Sequence, residues 1–331
     1  MLSRTTGARV GWRALPRLSG VALTWLLSGA VSAQQAESAE QLLNSMRSAM
    51  AETTFRGIVA YSKSNRVENM EILHAVVGGV EREKLISLNG PMREVVRHGH
   101  EVKCYFPDSG TVFIGAKPSG KSAFVDLPDD FLKLGAYYEF ALGRRERIAQ
   151  RDAQEVKINP RDDLRYGRRI WVDLASRLAL KVELVDERDN VIEQMVFSSL
   201  QLDPAIVTEE FDLSLSQQKL KWETSEHTPI PIESLRWRLQ SVPPGFQIVS
   251  FSRVRQASPD RLIEHLLLSD GLSSISVYFD RVGERLIVGQ AREAGAIHTF
   301  SRKIGDYAVT TMGEVPTKTV EYVGNGIRLQ D

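Results

Sequence analysis

Residues 55–116 constrain the fold more than any other stretch, because they read as strand after strand with no helical period. Segments 55–62, 67–77, 80–88, 93–98, 102–106 and 111–114 are each rich in β-branched or aromatic residues. Turn chemistry separates them: Gly78-Gly79, Asn89-Gly90-Pro91, His98-Gly99 and Asp108-Ser109-Gly110. Tight hairpins need positive φ, which glycine adopts without steric cost. Short loops make sequence neighbours pair antiparallel, so the stretch is a meander. Its second segment is apolar on both faces, with Met70, Ile72 and Val76 on one and Leu73, Ala75 and Val77 on the other. A strand wet on one side alternates instead. The pattern predicts a curved sheet whose concave face is covered or holds something apolar.

The chain starts with a targeting segment. Arg4, Arg9, Arg13 and Arg17 precede an apolar run over residues 18–31, which closes on Val31-Ser32-Ala33. Basic start, short apolar stretch and small residues in an A-x-A-like arrangement are the layout of a secretory signal, cleaved here after Ala33. The run is shorter than the ~20 residues needed to span a bilayer; the competing reading is an uncleaved interfacial anchor. No later stretch is long or apolar enough to span, and no cysteine follows the signal to carry a lipid anchor. The expected mature protein is exported and soluble. Four of the 42 basic residues and none of the 42 acidic ones lie in the first 33, so the remainder carries a net charge of −4. That balance argues against a general nucleic-acid binder, which needs a basic footprint. Cys104 is the single cysteine. The fold is therefore expected to stand without an internal disulfide, and Cys104, beside Tyr105 and Phe106, reads as a small buried hydrophobe.

With 331 residues, two domains are expected. The first opens with a helix. Ser38 and Gln41 form a capping-box pattern, and Leu42, Leu43, Met46, Ala49 and Met50 follow at helical spacing. Residues 117–123 read as a loop and 127–134 as a helix start. Strands resume at 137–142, 144–150, 153–159, 166–174, 178–186 and 191–202. Within 178–186, Leu178, Leu180, Val182 and Leu184 are expected to face one way, and Lys181 and Glu183 the other. The predicted boundaries are a signal over 1–33, a first domain over 37–215, a polar linker over 216–231 and a small domain over 232–331. In the last, residues 247–255, 262–268, 274–280, 296–302 and 307–312 are extended, and 316–327 is helical. Ile275, Val277 and Phe279 are expected under that helix through Val320 and Val323, leaving Tyr278 outward beside Ser276.

Motifs of catalysis are absent from the sequence: no G-x-S-x-G, H-E-x-x-H, C-x-x-C or G-x-G-x-x-G occurs. The Lys117–Ser122 run superficially resembles a phosphate loop but precedes no convincing helix. His98 and His100 read as solvated turn residues, and His74, His265 and His298 as structural. No enzyme activity, metal or cofactor is expected. Arg82, Lys84, Arg93, Arg97, Arg144, Arg145 and Arg147 are basic residues of the first domain. Those that rim an apolar hollow suit a ligand with acyl chains and phosphates. Met70, Ile72, Val76, Arg82 and Arg93 are the candidate ligand-binding residues. Tyr278 and Trp237 are the candidate partner-binding residues.

Several segments carry a family resemblance. Trp237-Arg238-Leu239 followed by Val242-Pro243-Pro244-Gly245-Phe246 resembles the W-x-(V/L)…LPxGF junction of the RseB/MucB family. Ser269-Asp270-Gly271-Leu272 with Ser276-Val277-Tyr278-Phe279 resembles its SDGLxxxSVF segment, and Gly313-Glu314-Val315-Pro316 with Thr319-Val320 its GEVPxxT segment. Phe55-Arg56-Gly57, Leu88-Asn89-Gly90 and Leu180-Lys181-Val182-Glu183 are similar too. Departures are small: Val242 stands for leucine and Asn89 for aspartate. The resemblance implies a mainly β, α+β protein: a lipoprotein-carrier-like (LolA-like) unclosed β-barrel plugged by helices, then a smaller antiparallel sheet packed by a helix. It further implies a periplasmic regulator of the envelope-stress sigma factor. Such a protein binds the periplasmic region of an RseA/MucA-like membrane anti-sigma factor and shields it from the site-1 protease. Lipopolysaccharide or mislocalised lipoprotein acyl chains release it. A homo-oligomer is left open by the sequence, and a periplasmic lipid or lipoprotein carrier is the alternative.

Overall fold

The structure, a computed structural model, describes residues 37–330 other than 65, 117–123, 126, 129, 215–219, 225, 258–259 and 282–291. The expected signal, the 117–123 loop and the first residues of the expected linker lie outside the described residues.

A twelve-stranded sheet is built from two meanders that meet at β1 (Phe55–Lys63). On one side follow β2 (Arg66–Val77), β3 (Val80–Ser87), β4 (Glu94–His98), β5 (Glu101–Phe106) and β6 (Thr111–Ala116), each antiparallel to the last. The β2–β3 turn places Gly78 and Gly79 at φ 59° and 79°, as the glycine pair predicts. On the other side run β7 (Tyr138–Ile148), β8 (Arg151–Pro160), β9 (Gly167–Asp173), β10 (Ala179–Val185) and β11 (Val191–Leu202), and β11 closes on β1. The sheet stays open, with β7 at one edge and β12 (Lys221–Thr224) at the other.

Helix α1 (Ala39–Glu52) plugs the concave face. Its capping box forms: Gln41 N–H donates to Ser38 Oγ at 3.2 Å, and Ser38 N–H to Gln41 Oε1 at 2.8 Å. Leu42, Leu43, Met46 and Met50 pack on Phe55, Ile72, Val156, Ile170 and Val172. Phe124, Leu127, Phe131 and Leu134 close the same core; the helix expected over 127–134 is a short 3-10 turn, Leu132–Ala136. The two-sided apolar pattern of β2 has its explanation on the convex face. There Leu73 and Ala75 are covered by Phe211 and Ile206 as the chain crosses back.

Bulges account for two departures from the expected strands. Residues 138–148 form one strand, not two, because a register shift between Leu142 and Arg145 absorbs the irregularity. The freed groups are satisfied from β8: Arg144 N–H donates to Glu155 Oε2 at 3.0 Å, and Gln154 Nε2 to Gly143 O at 2.8 Å. A second shift between Ala179 and Lys181 turns Leu180 out of the expected face. Leu180 packs with Trp171, while Leu178 and Val182 join the concave core.

The expected linker continues both sheets. β12 pairs in parallel with β6, and β13 (Glu226–Pro229) pairs antiparallel with β15 (Gln247–Ala257). The second sheet contains β13, β15, β16 (Asp260–Ser269), β17 (Ser274–Arg281), β20 (Tyr307–Gly313), β19 (Ile297–Ile304) and β18 (Arg292–Ala294) in that order. Helix α2 (Thr317–Asn325) covers one face: Val320 and Val323 pack with Ile275, Val277 and Phe279, as their spacing predicts. β14 (Trp237–Leu239) and β21 (Ile327–Leu329) pair beside it. Residues 37–331 form one compact unit. No helix among the described residues is long and apolar enough to cross a membrane.

Candidate ligand cavity and the seam between the sheets

The concave face leaves a cavity of about 550 Å³, within the range that holds a small ligand. Met70, Leu85, Val95, Phe124, Val182, Leu184 and Met195 give it an apolar wall. Arg93, Arg168, Glu193, Glu314 and Tyr61 supply its polar groups. Arg93 Nη2 lies 3.2 Å from Glu68 and Arg168 Nη2 3.3 Å from Glu314. Tyr61 donates to Glu193 at 2.5 Å, and burial, reinforced by that carboxylate, pushes its phenol up. Cys104 lines the cavity half-buried, and burial pushes its thiol up too, away from a reactive thiolate. Among the described residues no cluster of three metal-ligating side chains occurs. The arrangement suits reversible binding of an elongated apolar group with a polar head.

The structure separates the residues singled out as ligand-binding. Met70 and Arg93 line the cavity. Ile72 is 0% exposed and lies in the core under α1. Val76 departs from the expected covered face: it is 41% exposed, near the 78–79 turn and beyond the point where His74 seals against Thr53 O and Glu81. Arg82 pairs in register with Ala75 and His98, so it points to the convex face. There it lines a separate groove with Phe211 and Trp222. The period of two fixes which side chains share a face, but not how far the cover over that face extends.

Of the residues expected to meet a partner, Trp237 is 1% exposed, stacked on Phe279 with ring centroids 4.5 Å apart. It belongs to the core of the small sheet, because β14 is drawn in by β21. Tyr278 is half-buried and stacks on His265 across the strand pair, at 4.6 Å and 11°.

The two sheets meet at a polar seam that no sequence motif announces. Arg165, its side chain fully buried, donates from Nε to Asp270 Oδ2 at 2.7 Å. It also bonds to Asp162 and to the carbonyl of Pro244. Its guanidinium lies 5.1–5.5 Å from the rings of Tyr137, Tyr138 and Phe246. Burial opposes this charge, but the bond to Asp270, with Tyr138 and Asp162, outweighs it and raises the guanidinium above its ordinary value. Tyr138 donates to the same Asp270 oxygen at 2.8 Å. Asp270 Oδ1 accepts from the amides of Leu272 and Ser273, at 2.9 and 2.7 Å, and so fixes the turn.

Further contacts extend the seam. Thr319 Oγ1 donates to Leu164 O at 2.9 Å, Arg168 Nη1 to Leu272 O at 3.0 Å, and Ala296 N–H to Glu193 Oε1 at 2.7 Å. The turns at 242–246 and 269–272 and the start of α2 are thus the small sheet's side of the contact. Arg165, just before β9, and Arg168, within it, carry no periodic or motif signal that marks them as seam residues.

Comparison with known proteins agrees along the chain. The family model described as the MucB/RseB N-terminal domain matches residues 38–221, and the MucB/RseB C-terminal domain matches residues 231–328. The chain is 29% identical over 306 residues to the sigma factor AlgU regulatory protein MucB of Pseudomonas aeruginosa, covering 90% of this chain and 93% of that one. It is 29% identical over 330 residues to the sigma-E factor regulatory protein RseB of Escherichia coli K12, covering 96% and 97%. A crystal structure of MucB in complex with MucA(peri) superposes with a TM-score of 0.70 at 26% identity, covering 88% of this chain and 99% of that chain.

Proposed function

The chain belongs to the MucB/RseB family, and from that premise we propose that it is a periplasmic regulator of a stress-response sigma factor. It binds the periplasmic region of a membrane anti-sigma factor and shields that region from the site-1 protease. Lipopolysaccharide or the acyl chains of a mislocalised lipoprotein, entering the cavity of the large sheet, release it. In this reading residues 1–33 are removed after Ala33, and the halves 37–215 and 232–331 are the two functional domains, joined through 216–231. Met70 and Arg93 contact the ligand, and Tyr278 contributes to the partner surface.

The observation that carries the reading is continuous family similarity over both halves, together with a relative solved with MucA(peri). The apolar cavity supports the ligand class. The test is binding of the mature chain to the periplasmic region of its anti-sigma factor, with and without lipopolysaccharide. Expected are a complex, protection from site-1 cleavage, and loss of both on adding lipopolysaccharide. Absence of a complex, with a lipoprotein bound and passed onward instead, would favour the carrier reading.

A further inference from the structure

We infer that Arg168 is the headgroup-binding cation of the cavity, and that an anionic amphiphile lodged there takes it from Glu314 and so loosens the seam between the sheets. This deepens the functional reading above and rests on it.

Arg168 leaves β9 of the large sheet and lines the cavity, yet both of its bonds reach the small-sheet half: Leu272 O at 3.0 Å and Glu314 at 3.3 Å. Arg165, three residues earlier, is locked in a fully buried network. The Arg168 pair differs in kind, because Glu314 is 43% exposed at the side chain. Such partly solvated pairs are weak and exchangeable. A phosphate or carboxylate head accepts charge-assisted, bidentate bonds from arginine in a less hydrated setting, and these are stronger.

The other cavity carboxylates are already committed. Glu193 accepts from Tyr61 and from the Ala296 amide and pairs with Lys63 at 3.1 Å. Glu183 pairs with Lys181 at 2.6 Å. Glu314 is therefore the carboxylate whose departure frees a cation for a ligand. Met70, Leu85, Val182, Leu184 and Met195 offer the wall for an alkyl chain, and Arg93, held by the partly exposed Glu68, lies on the same cavity.

Because Glu314 and an anionic head compete for Arg168 Nη2 and repel each other, occupancy and seam contact oppose each other. Linkage makes that opposition reciprocal. Removing Glu314's charge must tighten the ligand, and binding the ligand must weaken the seam.

Calorimetry on the mature chain with dodecyl phosphate, dodecanol and inorganic phosphate tests this. Dodecyl phosphate should bind, dodecanol about tenfold more weakly, and inorganic phosphate should not compete. Arg168→Gln should weaken dodecyl phosphate about tenfold, and Glu314→Gln, at an exposed site that folding tolerates, should tighten it several-fold. Hydrogen exchange should quicken at the Ala296 amide and around residues 314–319 when dodecyl phosphate saturates. In Glu314→Gln it should start faster and respond less. Equal binding of dodecanol, displacement by inorganic phosphate at equal concentration, an unaffected Arg168→Gln, or exchange at the seam that ignores the ligand would overturn the inference. Failure of the wider functional reading shows differently: the anti-sigma fragment is not bound, while these ligand and exchange results stand.

Discussion

Arg165 and Asp270 face each other across the seam as a fully buried ion pair, Nε to Oδ2 at 2.7 Å, although 105 residues separate them in sequence. Removing one partner of such a pair leaves an uncompensated buried charge, which costs about 3–5 kcal/mol. Asp270→Ala also strips the acceptor from the Leu272 and Ser273 amides. It should lower the unfolding free energy by about that amount. Asp270→Asn keeps an acceptor for the amides and should cost less. Urea denaturation followed by tryptophan fluorescence checks both; a wild-type midpoint for Asp270→Ala would show that the seam contributes nothing to stability.

Gly245 has φ +85°, and a Cβ there would fall 2.5 Å from the Tyr137 ring. Left-handed backbone costs a side-chain-bearing residue roughly 1–2 kcal/mol, and crowding against a packed ring adds about 1–3 kcal/mol. Gly245→Ala should therefore destabilise by about 2–5 kcal/mol. Tyr137→Leu in that background should return only the crowding part. Full recovery in the double variant would mean that the backbone is unstrained.

Much of this architecture was legible because its signals are local. The Gly78-Gly79 turn, the Ser38 capping box and the α2 face of Val320 and Val323 each follow from a few neighbouring residues. What was not legible depends on distant chain. Leu180 changes face through a bulge that no single strand announces. Trp237 reads as a partner-binding residue until β21 arrives, some 90 residues later, to pair with its strand. The apolar faces of β2 predict a covered concave face and Arg93 is legible as one of its cations, but Tyr61, Arg168, Glu193 and Glu314 come from β1, β9, β11 and the small-sheet half, so local sequence does not group them.

Ile72 and Val76 share a face by strand period but differ in cover. Ile72→Ala should cost about 2–5 kcal/mol, the range for truncating a fully buried aliphatic side chain. Val76→Ala should change stability by no more than about 0.5 kcal/mol, as exposed substitutions do. Ile72→Glu should unfold the large-sheet half or abolish ligand binding, since an unpaired charge would sit in the α1 interface. Thermal melts of the three variants settle the assignment; equal effects at 72 and 76 would refute it.

Acid should weaken the fold in two separable windows. Burial pushes the His265 imidazole down from its ordinary 6.5 to about 4, and the neighbouring His227 adds to the effect. The unfolded chain then binds a proton that the folded chain refuses, so stability is complete above pH 6.5 and falls as pH drops toward 4. Glu81 behaves differently. Burial would raise its carboxyl, but bonds from His74 and Arg97 and the charge of Arg97 bring it from 4.5 to about 2. Its contribution is present above pH 4.5 and is lost between there and pH 2. His265→Phe preserves a ring against Tyr278 and removes the titration. Urea midpoints measured across this range should lose their slope between pH 6.5 and 4.5 in that variant, while the steeper loss below 4.5 remains. An unchanged upper slope would mean that His265 is protonated as readily in the folded chain as in the unfolded one.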